Sequence, residues 1–210
     1  MMLLRRNAVN VSAGFALVAL VGLAPVAAQA DSHSKQKLPE APKQLPSVKA
    51  HGKSLDFLFD ALKAAPDEES ARAVEARIWA IWMKTPSDTV ALLMARTRVA
   101  LENDQSDVAM KLLDAIIKLH PDYVEAWNKR ATLYYMKNDY NRAMEDIEEV
   151  LRREPRHFGA LAGLGVILEE TGDDRHALEV FRRALVINPH LDKVPEMVKS
   201  LSEKVEGRDI

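Results

Sequence analysis

The 210-residue chain has no cysteine. Disulfides, thiolate metal sites, a cysteine nucleophile and a lipidated N-terminal cysteine are therefore excluded. It has no surplus of positive charge either: 29 Lys and Arg face 31 Asp and Glu, a net charge of −2. A surface so balanced does not hold a nucleic-acid backbone. From Ser54 onward no segment alternates apolar and polar residues as a half-buried strand does. Constellations for chemistry are missing as well. None of the six histidines (His33, His51, His120, His157, His176, His190) lies three or four residues from another, so no zinc site is expected. His120 and His157 flank prolines and read as turn residues. The clusters Asp67-Glu68-Glu69, Glu148-Glu149 and Glu169-Glu170 read as solvated helix surface, because acid–base catalysis needs a shaped, desolvated pocket. Residues 159–165 hold three glycines, but no Gly-Lys-Ser/Thr follows and no strand precedes, so they are not a phosphate loop. No catalytic residue, metal or cofactor is expected. What is present is a soluble globular body, 48% apolar and 29% charged.

The N-terminus reads as an export address. Arg5 and Arg6 form a positive start, and residues 7–30 carry no charge. Residues 15–24 have the length of a secretory apolar core, Pro25 breaks it, and Ala28 and Ala30 supply the small residues of a cleavage site. The sequence predicts that 1–30 is a cleaved signal peptide, cut after Ala30. The mature chain would be periplasmic or secreted, without membrane insertion. Processing removes two arginines and no acid, taking the charge from −2 to −4. The competing reading is an uncleaved N-terminal membrane anchor, since the uncharged stretch is just long enough to span a bilayer. Asn7-Ala8-Val9 after the arginine pair favours the general export route over the twin-arginine one.

Residues 31–52 carry Pro39, Pro42 and Pro46, several lysines and few apolar residues. Such a stretch cannot bury enough surface to offset its chain entropy and reads as a flexible linker. Beyond it apolar residues recur at three and four, with prolines between the runs, so the body is predicted to be all-α. A 34-residue period then dominates. Pro121, Pro155 and Pro189 keep it; so do Ala109, Ala143 and Ala177. Leu93, Trp127 and Leu161 follow it, as do the small residues Thr97, Ala131 and Gly165 and the turn formers Asp104, Asn138 and Gly172.

This pattern resembles the tetratricopeptide repeat (TPR) family. The matching units are 90–123, 124–157 and 158–191, and the middle one, with Trp127, Ala131, Tyr134, Ala143 and Pro155, is the nearest to the motif. The resemblance implies a right-handed solenoid of helix–turn–helix repeats in which each pair buries its apolar face on the next. Residues 53–89 read as a divergent helix pair, either a degenerate repeat or an N-terminal cap. Glu75 stands there where Ala is expected, and Pro86 is one residue out of register. Trp79 and Trp82, three apart, read first as core and otherwise as an exposed hot spot. Residues 192–206 fit one amphipathic capping helix.

In that family the first helix of each pair lines a concave groove. The resemblance assigns to it Met94, Arg98, Leu101 and Glu102 in the first unit, and Glu125, Asn128, Lys129, Thr132, Tyr135 and Met136 in the second. From the third it takes Gly159, Ala162, Gly163, Val166, Glu169 and Glu170. The family's basic clamp for a C-terminal carboxylate would need cations where Gly159 and Gly163 stand, so that clamp is absent. The implied role is a non-catalytic adaptor holding an extended peptide or a partner's helix without a dominant charge contribution, in envelope assembly or secretion. The rival is a dedicated accessory subunit of a periplasmic enzyme or transporter. Oligomeric state is not legible.

Overall fold

A computed structural model describes residues 48–207; the predicted signal peptide and linker residues 31–47 lie outside the described residues. Among the described residues there are nine α-helices and no strand. They are α1 (Val48–Lys63), α2 (Glu68–Trp82), α3 (Asp88–Glu102), α4 (Ser106–Leu119), α5 (Val124–Met136), α6 (Tyr140–Arg153), α7 (Phe158–Glu170), α8 (Asp174–Ile187) and α9 (Val194–Val205). Helix α1 begins at Val48, inside the stretch expected to be linker.

The period becomes three stacked pairs. Within each, an A helix (α3, α5, α7) packs on its own B helix (α4, α6, α8), and α4 and α6 each pack on the next A helix. Ala109, Ala143 and Ala177 are sealed where those helices meet. The A–B turns share one geometry. Asp104, Asn138 and Gly172 all have positive φ (56°, 57° and 86°). The next residue's N–H then reaches back to Ala100, Tyr134 or Leu168, which closes the orphan carbonyls of the A helix. Asp139 and Asp173 go on to cap α6 and α8 through their side chains, whereas Gln105 makes no side-chain cap at α4. Helix α9 buries Val194 and Leu201 against Ala177, Leu178 and Phe181 and so covers the last repeat.

The small-residue position is fitted pair by pair. Gly165 lies against the ring of Phe181, and an added Cβ would stand 2.5 Å from it. The corresponding pairs in the earlier repeats are Ala131 with Ile147 and Thr97 with Leu113. All of these side chains are buried.

The divergent pair α1–α2 does not continue the stack. Its two helices pack on each other, and its core of Leu55, Leu58, Phe59, Leu62, Ala71, Ile78 and Trp82 extends to Phe158, Ile187 and Leu191 of the third repeat. Glu75 explains its departure from alanine here. It accepts from Trp79 on its own helix (3.1 Å) and from Asn188 after α8 (3.0 Å). An alanine is needed where a following helix must approach, and none does at this point.

Candidate functional site

The site is the common face of the A helices, and α1–α2 divides it in two. At its N-terminal end the hairpin is docked through aromatics. Trp82 stacks on His157 (4.3 Å, 11° between planes). Trp79 meets His157 and Phe158 edge-on at 5.4 and 5.6 Å. Such perpendicular and stacked pairs contribute beyond the area they bury. Gly159 makes room for this: a Cβ there would lie 3.0 Å from the Trp79 ring. At the margin Arg156 sits over Phe59 (4.3 Å) and pairs with Asp56 (2.6 Å), while Tyr123 donates to the Met83 carbonyl (3.2 Å).

Beneath the aromatics lies a buried polar pair. His157 and Glu125 are both sealed from solvent. The Ala160 N–H donates to His157 Nδ1 (3.0 Å), which caps α7 and requires a lone pair on that nitrogen. The ring proton is therefore on Nε2, which donates to Glu125 Oε1 at 2.9 Å. Burial pushes the Glu125 carboxyl up, but the His157 bond, the Asn128 bond and the nearby Lys129 more than reverse this, so it is held below the ordinary value. An ionised carboxylate so paired satisfies the rule that buried charge must be hydrogen-bonded.

This geometry corrects part of the groove assignment. The resemblance places Glu125 in the partner groove, but its carboxylate is buried beneath the aromatic cluster and bonded to His157. Met94 is also buried, packed in the core formed by α3, α4 and α5. Gly159 and Gly163, also assigned to the groove, do not line it either: Trp79 sits against Gly159, and Gly163 is buried. His157, expected as a turn residue, is also the centre of this cluster. The signal that it mattered was the run His157-Phe158-Gly159, which departs from the preceding repeats at the one place where the tryptophans dock.

The C-terminal end of the face stays open. Asn128, Lys129, Thr132 and Tyr135 are partly exposed along α5, and Met136 is 66% exposed. On α3, Arg98 and Glu102 are exposed and paired with each other at 3.7 Å. On α7, Ala162 and Val166 are half-buried beside the α8–α9 cluster, and Glu169 is half-buried near its helix end. Burial and then the neighbouring Asp174 raise the Glu169 carboxyl. Tyr135 and Tyr140 both donate to Glu170 (2.7 Å each), which ties α5, α6 and α7 together at this end. Burial, followed by that bond, raises the Tyr135 phenol. Thr132 donates to the Asn128 carbonyl at 3.0 Å. The signature residue Trp127 donates to the Pro121 carbonyl (2.8 Å) and lies 5.0 Å from both the Arg130 and Arg153 guanidiniums. Among the described residues no three His, Cys, Asp or Glu converge as a metal site would require, and no helix is long and apolar enough to cross a membrane.

Comparison with known proteins agrees with this architecture. The tetratricopeptide repeat sequence pattern matches residues 112–145 and 129–192. A TPR repeat-containing protein of Rhizobium etli is 41% identical over 153 residues, covering 73% of this chain and 75% of the relative. Among solved structures, the first TPR of Spaghetti bound to an HSP90 peptide superposes with a TM-score of 0.54 at 14% identity, over 59% of this chain and 98% of that one. The TPR2B domain of yeast Sti1 in its pHsp70 complex gives 0.51 at 14% identity, over 56% and 99%.

Proposed function

The chain belongs to the tetratricopeptide repeat family, and from that premise we propose that it is a non-catalytic adaptor whose partner lies in the open half of the A-helix face. The observation that carries this reading is the row Asn128, Lys129, Thr132, Tyr135 and Met136, which stays accessible along α5 while the other end of the same face is closed by α1–α2. Its chemistry suits an extended peptide or a partner's helix. Asn128 and Lys129 offer polar contacts to a backbone, and Met136 offers adaptable apolar contact. Of two solved proteins of the same fold, one is bound to an HSP90 peptide and the other is in a pHsp70 complex. The half-closed face shortens the site to the C-terminal ends of α3, α5 and α7.

The adaptor acts outside the cytoplasm in this proposal, in the assembly of secretion, cell-wall or outer-membrane machinery. Arg5, Arg6, the uncharged residues 7–30 and the small residues Ala28 and Ala30 support export. Intact-mass analysis of fractionated cells should find a chain starting at Asp31 in the periplasmic fraction; an uncleaved chain in the membrane fraction would overturn that half.

For the binding half, photo-crosslinking residues at Thr132 and Met136 are compared with one at Glu148 on the exposed side of α6. Adducts from the first two and not from Glu148 support the groove. Equal yields at all three, or none, overturn it.

A further inference from the structure

Repeat register exposes a second surface at the other end of the stack. Leu92 of α3 corresponds to Ala126 and Ala160, and Val99 corresponds to Leu133 and Ile167. In the second and third repeats these positions are 0–2% exposed, because α4 and α6 of the preceding repeat cover them. In the first repeat Leu92 is 55% and Val99 51% exposed. The helix pair that should cover them, α1–α2, is docked instead on the third repeat. Its two tryptophans, which stand 34 residues before Leu113 and Ile116, are held in the His157–Phe158 cluster. The open face continues onto α4 through Val108, 47% exposed. Ala95, Arg96, Val99, Val108 and Leu112 line a shallow depression at its centre.

Charge says what should cover it. Arg96 corresponds to Arg130. Arg130 is held by Asp146 of its own B helix and by Asp114, at 2.7 Å, on the B helix that covers it. The counterparts of those two acids are Leu112 and Ala80. Neither Leu112 of its own repeat nor Ala80 of α2 supplies Arg96 with the carboxylates that Arg130 has, so the exposed guanidinium is available to an acid on a covering helix. A second copy meeting this face symmetrically would set Arg96 against Arg96, which is unfavourable.

We propose that the α3–α4 face is a docking surface for an amphipathic α-helix of a partner protein, one with an apolar stripe at i, i+3, i+4 and a carboxylate beside it that reaches Arg96. The occupant it calls for is therefore a helix of the α4 type, with Leu113, Ile116 and Ile117 as stripe and Asp114 as the acid. This site is separate from the α5 groove, and the two can fail independently.

The test uses the full chain and a labelled, stapled helical peptide of residues 106–119 as probe, read by fluorescence anisotropy. Saturable binding is expected. Val99→Glu places a charge in the apolar contact and should weaken it about tenfold or more. Arg96→Glu should weaken it too, and an Asp114→Lys peptide should bind the Arg96→Glu chain better than the unchanged chain. Thr132→Glu, in the groove, should leave it unaffected. Leu92, Arg96 and Val99 are exposed, so thermal unfolding should barely change. Absence of binding, indifference to Val99→Glu, or failure of the charge exchange overturns the proposal. So does a dimer in sedimentation velocity that Val99→Glu dissociates, which would give the face to a second copy.

Discussion

Replacing Gly165 by alanine tests the fitted interface of the third repeat. Helix propensity alone says the change should stabilise, by about 1 kcal/mol. The structure predicts the opposite. The new Cβ would lie 2.5, 2.6 and 2.7 Å from three carbons of the Phe181 ring, where ordinary carbon contacts are about 3.5–4.0 Å. Phe181 is 0% exposed and cannot swing aside. Forcing a methyl into such a core costs about 1–3 kcal/mol. With three contacts this short the cost lies in the upper part of that range, about 2–3 kcal/mol. After the propensity gain the net expectation is a loss of about 1–2 kcal/mol, or roughly 2–8 °C in Tm for a body of this size, measured by circular dichroism at 222 nm. The second repeat supplies the rescue. There Ala131 faces Ile147, so Phe181→Ile in the Gly165→Ala chain recreates a pair that the protein already uses. The double variant should be more stable than the two single losses summed, with a coupling of about 1 kcal/mol or more. A Gly165→Ala chain that melts higher than the parent, or two changes that merely add, would refute this account of the fit.

Other expectations follow from single contacts. Gln105→Asp should supply the side-chain cap that α4 lacks and that α6 and α8 have, raising stability by about 0.5–1 kcal/mol in a urea titration. Trp79→Ala removes the edge-on contacts to Trp82, His157 and Phe158 and should weaken α1–α2 docking by about 3 kcal/mol. Amide exchange should then accelerate in α1 and α2 while α3–α6 stay protected, and uniform acceleration would count against separate docking. The lowered Glu125 carboxyl contributes stability that is complete above its unfolded value and is lost as pH falls through the folded one. Unfolding free energy should therefore decline below about pH 4, and Glu125→Gln should flatten that decline at the expense of about 1–2 kcal/mol near neutrality.

The six helices α3–α8 were legible because a solenoid repeats its local physics. Each unit needs an alanine where helices touch, a positive-φ turn and a proline after the B helix, so Ala109, Asn138 and Pro155 recur in fixed places. The docking of α1–α2 was not legible for the same reason. Periodicity describes contacts between neighbours, and this hairpin meets residues about a hundred positions away. Its traces were departures from the period: Glu75 for alanine, the tryptophan pair, and Gly159 between a histidine–phenylalanine pair and the next turn. Each was visible alone, but only their meeting in space explains them. Glu125 is buried by a hairpin that lies outside the period, whereas Met94 is drawn into the core that α3 shares with α4 and α5. The start of α1 fell inside a proline-rich stretch whose composition argued for extended chain.

A row of stacked repeats usually unravels from its ends, since each unit is stabilised only by its neighbours. Here Asp56 and Arg156, separated by 100 residues, and Glu75 and Asn188, separated by 113, fasten the beginning of the described chain to the entry and the end of its last repeat. Closing so large a loop raises contact order and slows folding. The reward is cooperativity: the third repeat cannot fray without releasing the hairpin, and the hairpin cannot leave without uncovering the third repeat. The first helix pair and the third repeat are thereby coupled to each other, and the repeats between them keep the neighbours they already have.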